Sequence, residues 1–336
     1  MASTGHVLCF GELLLRLSAP GRGHLFQEPR LDANFGGAEA NVAVALARLG
    51  VPSAIVSAAP DDALGDAAVE AMRKHGVDMS RVRRAAGRLG LYFLTPGAGL
   101  RASAIVYDRE NSLFAETPAD AYDWPTLLQG AGRLHLSGIN PAIGPQMVEV
   151  ALAAIAAANE AGVPVSFDGN FRASMWARWC DAPSPILAGH IEGCDLMFGS
   201  HRDIALLLGR DFPGAGPERR RAAALAAFER FPRLRYIATT TRHVRNADHN
   251  TLSARIDTQD EAVETGEVEI TGIVDRIGTG DAFAGGVLAG LPHGLEEAAR
   301  TGLALAALKH ATPGDQSLTT RRELATFHEG GLDVRR

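Results

Sequence analysis

Residues 274–286 read Val-Asp-Arg-Ile-Gly-Thr-Gly-Asp-Ala-Phe-Ala-Gly-Gly, and no other stretch says more about fold and chemistry. A largely apolar run at 268–274 predicts a strand before it, and the small residues after Asp281 predict a helix. Glycines let backbone N–H groups approach an anion, and the N-terminus of a helix attracts negative charge. Gly278, Thr279 and Gly280 therefore predict an anion hole. Asp281, in the first helical turn, could take a proton from a hydroxyl group while those amides hold a phosphate.

Strands and helices alternate along most of the chain. The pattern predicts strands at 6–10, 52–58, 134–137, 164–167, 195–198 and 235–239, and helices at 38–49, 62–75, 145–161, 201–208 and 218–231. Alternation of this kind implies βαβ units and a parallel sheet, so the fold class is α/β. With 336 residues, the chain is long enough to bury a sizeable core.

The alternation breaks in two places, which we interpret as a small antiparallel sheet, or lid, built from about 12–35 and 89–116. The strands 90–95 and 102–108 flank Pro-Gly-Ala-Gly, which is turn-like by composition. Residues two apart share one face of a strand, so Tyr107 and Arg109 offer a hydroxyl and a guanidinium side by side. Tyr92 lies on the neighbouring strand.

A second arginine, Arg172, follows the predicted strand at 164–167, within Asp-Gly-Asn-Phe-Arg. Ligands of open α/β sheets bind outside the carboxyl ends of the strands. Arg109 and Arg172 converging on one small ligand predict a bound carboxylate, since guanidinium–carboxylate contacts are strong and directional. Contact with a nucleotide phosphate, or a surface ion pair, is the alternative for Arg172.

The N-terminal segment 35–50 carries a related pattern, Phe-Gly-Gly-Ala-Glu-Ala-Asn, at the start of a predicted helix. Gly37 would allow close backbone contact with a ligand hydroxyl. Asn41, one turn inside, could donate to and accept from a diol. A glycine loop that only packs the helix on the sheet is the alternative.

Composition excludes several classes of protein. The net charge of −6 and the lack of a long basic run argue against a nucleic-acid partner. No apolar run reaches about 18 residues and no signal peptide is evident, which predicts a cytoplasmic protein without a membrane span. The three cysteines are far apart, which fits a reducing compartment.

Both glycine motifs, in this order, resemble the signatures of the ribokinase-like (pfkB) carbohydrate kinases. The resemblance implies a single domain over 1–336: a three-layer α/β/α core with a mostly parallel sheet, plus the lid. It also implies that Asp281 is the catalytic base beside the anion hole of Gly278, Thr279 and Gly280. In this family the lid covers the sugar and commonly pairs between subunits, so a homo-oligomer is expected.

Further stretches narrow the resemblance to the 2-keto-3-deoxygluconate kinases: 90–94, 106–112, 134–139, 168–172 and 307–315. These enzymes phosphorylate the terminal hydroxyl of a sugar acid with ATP and Mg²⁺; a requirement for a monovalent cation is left open. The resemblance implies a sugar-acid site lined by Gly37, Asn41, Tyr92, Tyr107, Arg109, Arg172 and Asp315. It implies nucleotide contacts from Asn170, Ser200, Thr240, Arg242, Gly278 and Gly280.

Two departures leave the metal ligands and the adenine contacts unassigned. The usual Asn-x-x-Glu is here Ser200-His201-Arg202-Asp203, and the nucleotide loop Lys-x-Gly-x-x-Gly is replaced by 239–245, Thr-Thr-Thr-Arg-His-Val-Arg. A dehydrogenase or a P-loop kinase is disfavoured, because neither GxGxxG after an early strand nor GxxxxGK[ST] is present. A neutral-sugar kinase and a catalytically inactive sugar-binding regulator remain alternatives. The sequence does not separate the gluconate substrate from its galactonate epimer.

Overall fold

The structure, a computed structural model, describes residues 5–330. Its strands are β1 (His6–Phe10), β2 (Leu14–Ser18), β3 (Asp32–Gly36), β4 (Ser53–Pro60), β5 (Val82–Ala85), β6 (Gly90–Thr95), β7 (Ala104–Asp108), β8 (Ala131–Ser137), β9 (Val165–Asp168), β10 (Leu196–Phe198), β11 (Tyr236–Asn246), β12 (His249–Asp257), β13 (Ala262–Glu264) and β14 (Val268–Thr271).

The α-helices include four short ones that lie in the connections between longer elements. They are α1 (Ala38–Arg48), α2 (Ala63–Arg73), α3 (Leu113–Glu116), α4 (Trp124–Leu127), α5 (Ile139–Ile143), α6 (Pro145–Glu160), α7 (Ala173–Trp176), α8 (Ser184–Ile191), α9 (His201–Leu208), α10 (Gly216–Arg230), α11 (Thr279–Gly290), α12 (Leu295–Lys309) and α13 (Arg321–His328). None of the helices within residues 5–330 combines the length and the apolar character needed to cross a membrane.

The core is a ten-stranded sheet in the order β13-β12-β11-β10-β9-β8-β1-β4-β5, with β14 beside β12. Every pairing from β5 to β11 is parallel, and the pairings of β12 with β11, β13 and β14 are antiparallel. The parallel strands therefore end at one common edge of the sheet, which is where α/β proteins bind their ligands.

Helices cover both faces of this sheet, as the side chains of β1 show. Leu8 and Phe10 pack into one apolar cluster with α6, α8 and α10. Val7 and Cys9 point the other way, into a cluster with α1, α2, α11 and α12. Because successive side chains of a strand alternate between faces, both faces of β1 are buried. The predicted three-layer α/β/α fold with a mostly parallel sheet is confirmed.

The lid is a separate four-stranded sheet in the order β3-β2-β6-β7. It is built from the two excursions that the sequence indicated. The β2–β3 and β6–β7 pairs are antiparallel, whereas β2 and β6, which come from different excursions, pair in parallel. The register places Tyr92 directly opposite Tyr107, so both tyrosines lie on one face of the lid.

Two strands in the C-terminal half of the chain end at different residues from those predicted. The strand predicted at 235–239 continues to Asn246 and turns into β12, so 239–245 is one arm of a β-hairpin. The strand predicted at 268–274 ends at Thr271, because only its first part pairs with β12.

Candidate active site

A cavity of about 790 Å³ lies between the carboxyl edge of the core sheet and the lid. We call it the central cavity. All the candidate site residues predicted from the sequence line it: Gly37, Asn41, Tyr92, Tyr107, Arg109, Asn170, Arg172, Ser200, Thr240, Arg242, Gly278, Thr279, Gly280, Asp281 and Asp315. Residues separated by up to 278 positions in the chain thus share one space.

Asp281 sits in the first turn of α11, whose N-cap is Gly278. The side-chain amide of Asn41 donates to its carboxylate at 2.7 Å. This bond links the N-terminal glycine motif directly to the C-terminal one. Asn41 therefore orients the carboxylate, a role that its position one turn into α1 did not suggest.

The pKa of Asp281 is raised to about 8, chiefly by burial. The nearby carboxyl groups of Asp168, Glu39 and Asp315 raise it further, and the bond from Asn41 opposes them. A carboxylate with this high proton affinity is a stronger base than an exposed aspartate, and general bases work best when their pKa lies near the working pH.

The glycines beside Asp281 are required for different reasons. Gly278 has a φ of 78°, and a Cβ there would lie 1.8 Å from the carbonyl oxygen of Asp315. Outside its own helical turn, Gly280 has no atom within 4 Å of the place where its Cβ would be. Gly278 is thus needed for the chain to pack, whereas Gly280 borders open space that a ligand could enter.

On the lid side, Tyr92 and Asp315 belong to a buried charge cluster. The Tyr92 hydroxyl donates to Asp315, which also forms an ion pair of 2.8 Å with Arg16. The second carboxylate partner of Arg16 is Asp275, at 2.6 Å. Burial raises the pKa values of both Tyr92 and Asp315. The cluster ties strands of the lid to the segments that flank the Gly278 turn.

The two arginines predicted to hold a carboxylate both line the central cavity, but their surroundings differ. Arg172 is exposed, and the only hydrogen bond found for its side chain among the described residues goes to the neighbouring carbonyl of Phe171. Arg109 is buried, and its Nε donates to Glu12 at 2.8 Å. Glu12 escaped the sequence reasoning because a lone glutamate after a strand carries no recognisable signal.

A second cavity, of about 860 Å³, adjoins the first, and we call it the outer cavity. Ser200, Thr239, Thr240, Arg242, Thr279 and Gly280 line both. The outer cavity also involves residues that the sequence did not single out: Gly216, Pro217, Arg220, Glu264, Glu267 and His310. They come from distant segments, and no pattern in the sequence marks them as neighbours.

Ser200 and Asp203, the residues of the first departure, form a capping box at the start of α9. Ser200 N and Oγ donate to the Asp203 carboxylate at 2.6 and 2.8 Å. The Asp203 carboxylate therefore accepts hydrogen bonds from Ser200, the N-cap residue of the same helix. Asp168 also lies close enough for the Asp203 charge to raise its pKa, which burial brings to about 6.

Comparison with known proteins identifies the family to which this arrangement of site residues belongs. Residues 4–321 match the pfkB family of carbohydrate kinases. The chain belongs to this family. A buried carboxylate next to a glycine turn at a helix N-terminus has the chemistry of a base beside an anion-binding site.

Several relatives cover nearly the whole kinase. A 2-dehydro-3-deoxygalactonokinase of Haloferax volcanii is 31% identical over 98% of each chain. A 2-dehydro-3-deoxygluconokinase of Bacillus subtilis is 30% identical over 95% of this chain and 94% of its own. Among solved structures, the 2-dehydro-3-deoxygluconokinase of Thermotoga maritima superposes with a TM-score of 0.92 at 34% identity, covering 97% of this chain and 98% of its own.

The structure explains how residues 239–245 differ from the Lys-x-Gly-x-x-Gly loop of many relatives. As part of β11, residues 239–245 alternate between two faces of a strand, so Thr240 and Arg242 project to the same side. Both line the central and the outer cavities. Side chains on a strand thus border both cavities, in the segment where the sequence lacks the usual Lys-x-Gly-x-x-Gly.

Proposed function

We propose that this kinase transfers the γ-phosphoryl group of ATP to the terminal hydroxyl of a 2-keto-3-deoxy sugar acid, with 2-keto-3-deoxygluconate as the preferred substrate. The main support is the presence of two guanidinium groups, Arg109 and Arg172, on the same cavity as the carboxyl group of Asp281. Arg172 and the donors of Arg109 that Glu12 does not use could pair with a substrate carboxylate, a group that a neutral sugar lacks. The names of the three relatives described above agree with a sugar acid.

In this proposal the sugar acid occupies the central cavity. Its carboxylate contacts Arg109, Arg172 and the hydroxyl of Tyr107, and its terminal hydroxyl faces Asp281. Gly37, Tyr92 and Asp315 line the same space. Asp281, oriented by Asn41, accepts the hydroxyl proton as the phosphoryl group moves. Backbone amides at Gly278–Gly280 and the N-terminus of α11 stabilise the charge on the transferred group.

ATP would occupy the outer cavity, with its phosphates at the junction of the two cavities. Ser200, Thr240 and Arg242 line that junction together with Thr279 and Gly280. Arg242 supplies a positive charge and Thr240 a hydroxyl donor for phosphate oxygens. Asn170 would contact the nucleotide from the central side.

Magnesium would neutralise phosphate charge on the nucleotide. No group of three or more histidine, cysteine or acidic side chains within residues 5–330 could form a metal cage. A cage is not required, because Mg²⁺ is usually held by one or two carboxylates together with substrate phosphates and water. Asp168 and Asp203, which line the central cavity and repel each other, fit that requirement. A monovalent cation rests on the family resemblance alone.

The proposal extends to the assembly and location of the enzyme. The lid and the turn beside it expose large apolar side chains, with Phe26 at 71%, Leu100 at 97% and Val106 at 58% exposure. Large exposed apolar side chains near one another favour association, so we propose a homo-oligomer that forms through the lid. The kinase would act as a single domain in the cytoplasm.

The test is ATP turnover with 2-keto-3-deoxygluconate, 2-keto-3-deoxygalactonate, fructose and ribose side by side. We expect kcat/KM for the acids to exceed that for the neutral sugars by at least about a hundredfold, because a site built to pair a substrate group rejects analogues that lack it. Equal turnover of fructose would contradict the sugar-acid assignment. Sugar binding without turnover of any substrate would indicate an inactive regulator. The ratio of the two acids identifies the epimer.

A further inference from the structure

Glu12 lies where the chain first leaves the core sheet for the lid, and the other crossing segments converge on it. A Cβ at Gly37, where the first excursion returns, would lie 2.1 Å from the Glu12 carbonyl oxygen. A Cβ at Gly90, where the second excursion begins, would lie 2.5 Å from Glu12 Oε1. Arg109 and Ser112, where that excursion ends, both donate to the Glu12 carboxylate.

The Glu12 carboxylate is enclosed and fully engaged. Arg109 donates to Oε2 through both Nε, at 2.8 Å, and Nη2, while the Ser112 hydroxyl donates to Oε1. The side chains of Arg109 and Glu12 are only 4% and 3% exposed. Charge-assisted bonds of this kind are strong and directional, and removing one partner leaves a buried charge uncompensated.

These contacts leave some N–H donors of the Arg109 guanidinium available to a ligand. Nε and Nη2 are committed to Glu12, while Nη1 has the Met175 sulfur, a weak acceptor, at 3.8 Å. Arg109 also lines the central cavity. A guanidinium held along one edge by a buried carboxylate presents its remaining donors in a fixed direction.

We propose that Glu12 is a positioning residue: it aims Arg109 at the carboxylate of the substrate and thereby sets the affinity of the kinase for sugar acids. The inference rests on the proposed function, because it requires an anionic sugar in the central cavity. Arg109, whose charge Glu12 balances, supplies direction, and the exposed Arg172 supplies a second guanidinium group.

The first test is Glu12→Gln, which keeps the shape of the side chain and removes its charge. We expect KM for the sugar acid to rise about tenfold, the size of effect that a lost charge-assisted hydrogen bond produces. The value of kcat and KM for ATP should stay within about twofold, since Glu12 touches neither the base nor the outer cavity.

A double-mutant cycle separates positioning from a merely structural role. If Glu12 acts through Arg109, then Glu12→Gln introduced into an Arg109→Met background should raise KM for the sugar acid no further, within about twofold. Effects that multiply in the double variant would overturn the proposal.

Glu110→Gln is the matched control. Glu110 adjoins Arg109 in the chain and forms an exposed ion pair with Arg178. The same chemical change at this site should leave both KM values unaltered, because exposed ion pairs contribute little. A rise equal to that of Glu12→Gln would show that any loss of charge near the lid suffices, and would overturn the proposal.

Ser112→Ala decides the question if Glu12→Gln does not fold. It removes one of the three bonds to the carboxylate and leaves the ion pair, so KM for the sugar acid should rise by about two- to fivefold. An unchanged KM would overturn the inference. If the wild-type protein does not phosphorylate sugar acids at all, the proposed function fails; if it does so and these variants do not alter KM, only the role of Glu12 fails.

Discussion

The turn at Gly278–Asp281 and the end of the lid at Tyr107–Ser112 face the same central cavity but are built in opposite ways. The turn depends on the backbone: a positive φ at Gly278, open space at Gly280 and one carboxylate at Asp281. The lid end depends on side chains held by buried partners, such as Arg109 on Glu12. Backbone suits chemistry common to a whole family, whereas side chains can change to suit each substrate.

If this division holds, the largest single effect should come from the carboxylate of the turn. Asp281→Asn should lower kcat by about 10²–10⁴-fold, the usual contribution of a general base, and change KM for the sugar acid little. Steady-state kinetics on both substrates measures this. A kcat within tenfold of wild type would place the base elsewhere, and thermal unfolding of the variant checks that it is folded.

The second comparison uses two glycines from the same turn. Gly278→Ala should lower the free energy of unfolding by about 3 kcal/mol or more, because it combines a left-handed φ with a clash against the Asp315 carbonyl. Gly280→Ala should leave stability within about 1 kcal/mol, since alanine is tolerated in a helical turn with free space.

Gly278→Ala and Gly280→Ala should also differ in how they affect catalytic activity. The methyl group of Gly280→Ala would project toward the junction of the two cavities and lower kcat/KM in a well-folded protein. Denaturant unfolding and kinetics on both variants test the pair. Equal stability of the two variants would show that the turn tolerates side chains, and that its glycines do not differ in role.

The most gradual expected effect is a pH dependence of stability, which is spread over several pH units. The pKa of Asp281 is about 8 in the folded protein and near 4 when unfolded, so folding takes up a proton between these values. Stability therefore falls as pH rises through this window, by at most about 1.4 kcal/mol per pH unit. Asp281→Asn lacks this penalty.

Thermal unfolding of wild type and Asp281→Asn at pH 5, 6.5 and 8 measures the effect. The variant should gain stability over wild type as pH increases. A constant difference across the series would mean that Asp281 titrates as an ordinary exposed carboxylate, and the turn would lose its special base.

Much of the fold was predictable because its signals are local. Strand and helix periodicity located β1, α1, β6 and α9 to within a residue or two, and turn-forming residues separated the lid from the core. The antiparallel part of the core sheet, where β11 pairs with β12, was harder to predict from the sequence. The length of β11 depends on its pairing with β12, which is a contact that no short window of sequence contains.

In the candidate site, too, local sequence identified the residues, whereas long-range contacts determined how they are arranged. The sequence alone determined that an aspartate, glycines and two arginines are available, because their types and order suit phosphoryl transfer. Tertiary structure decided that Asn41 bonds to Asp281, that Glu12 neutralises Arg109, and that Arg16 bridges two aspartates. Each of these contacts joins residues about a hundred or more positions apart, and only burial in a shared space gives them their strength.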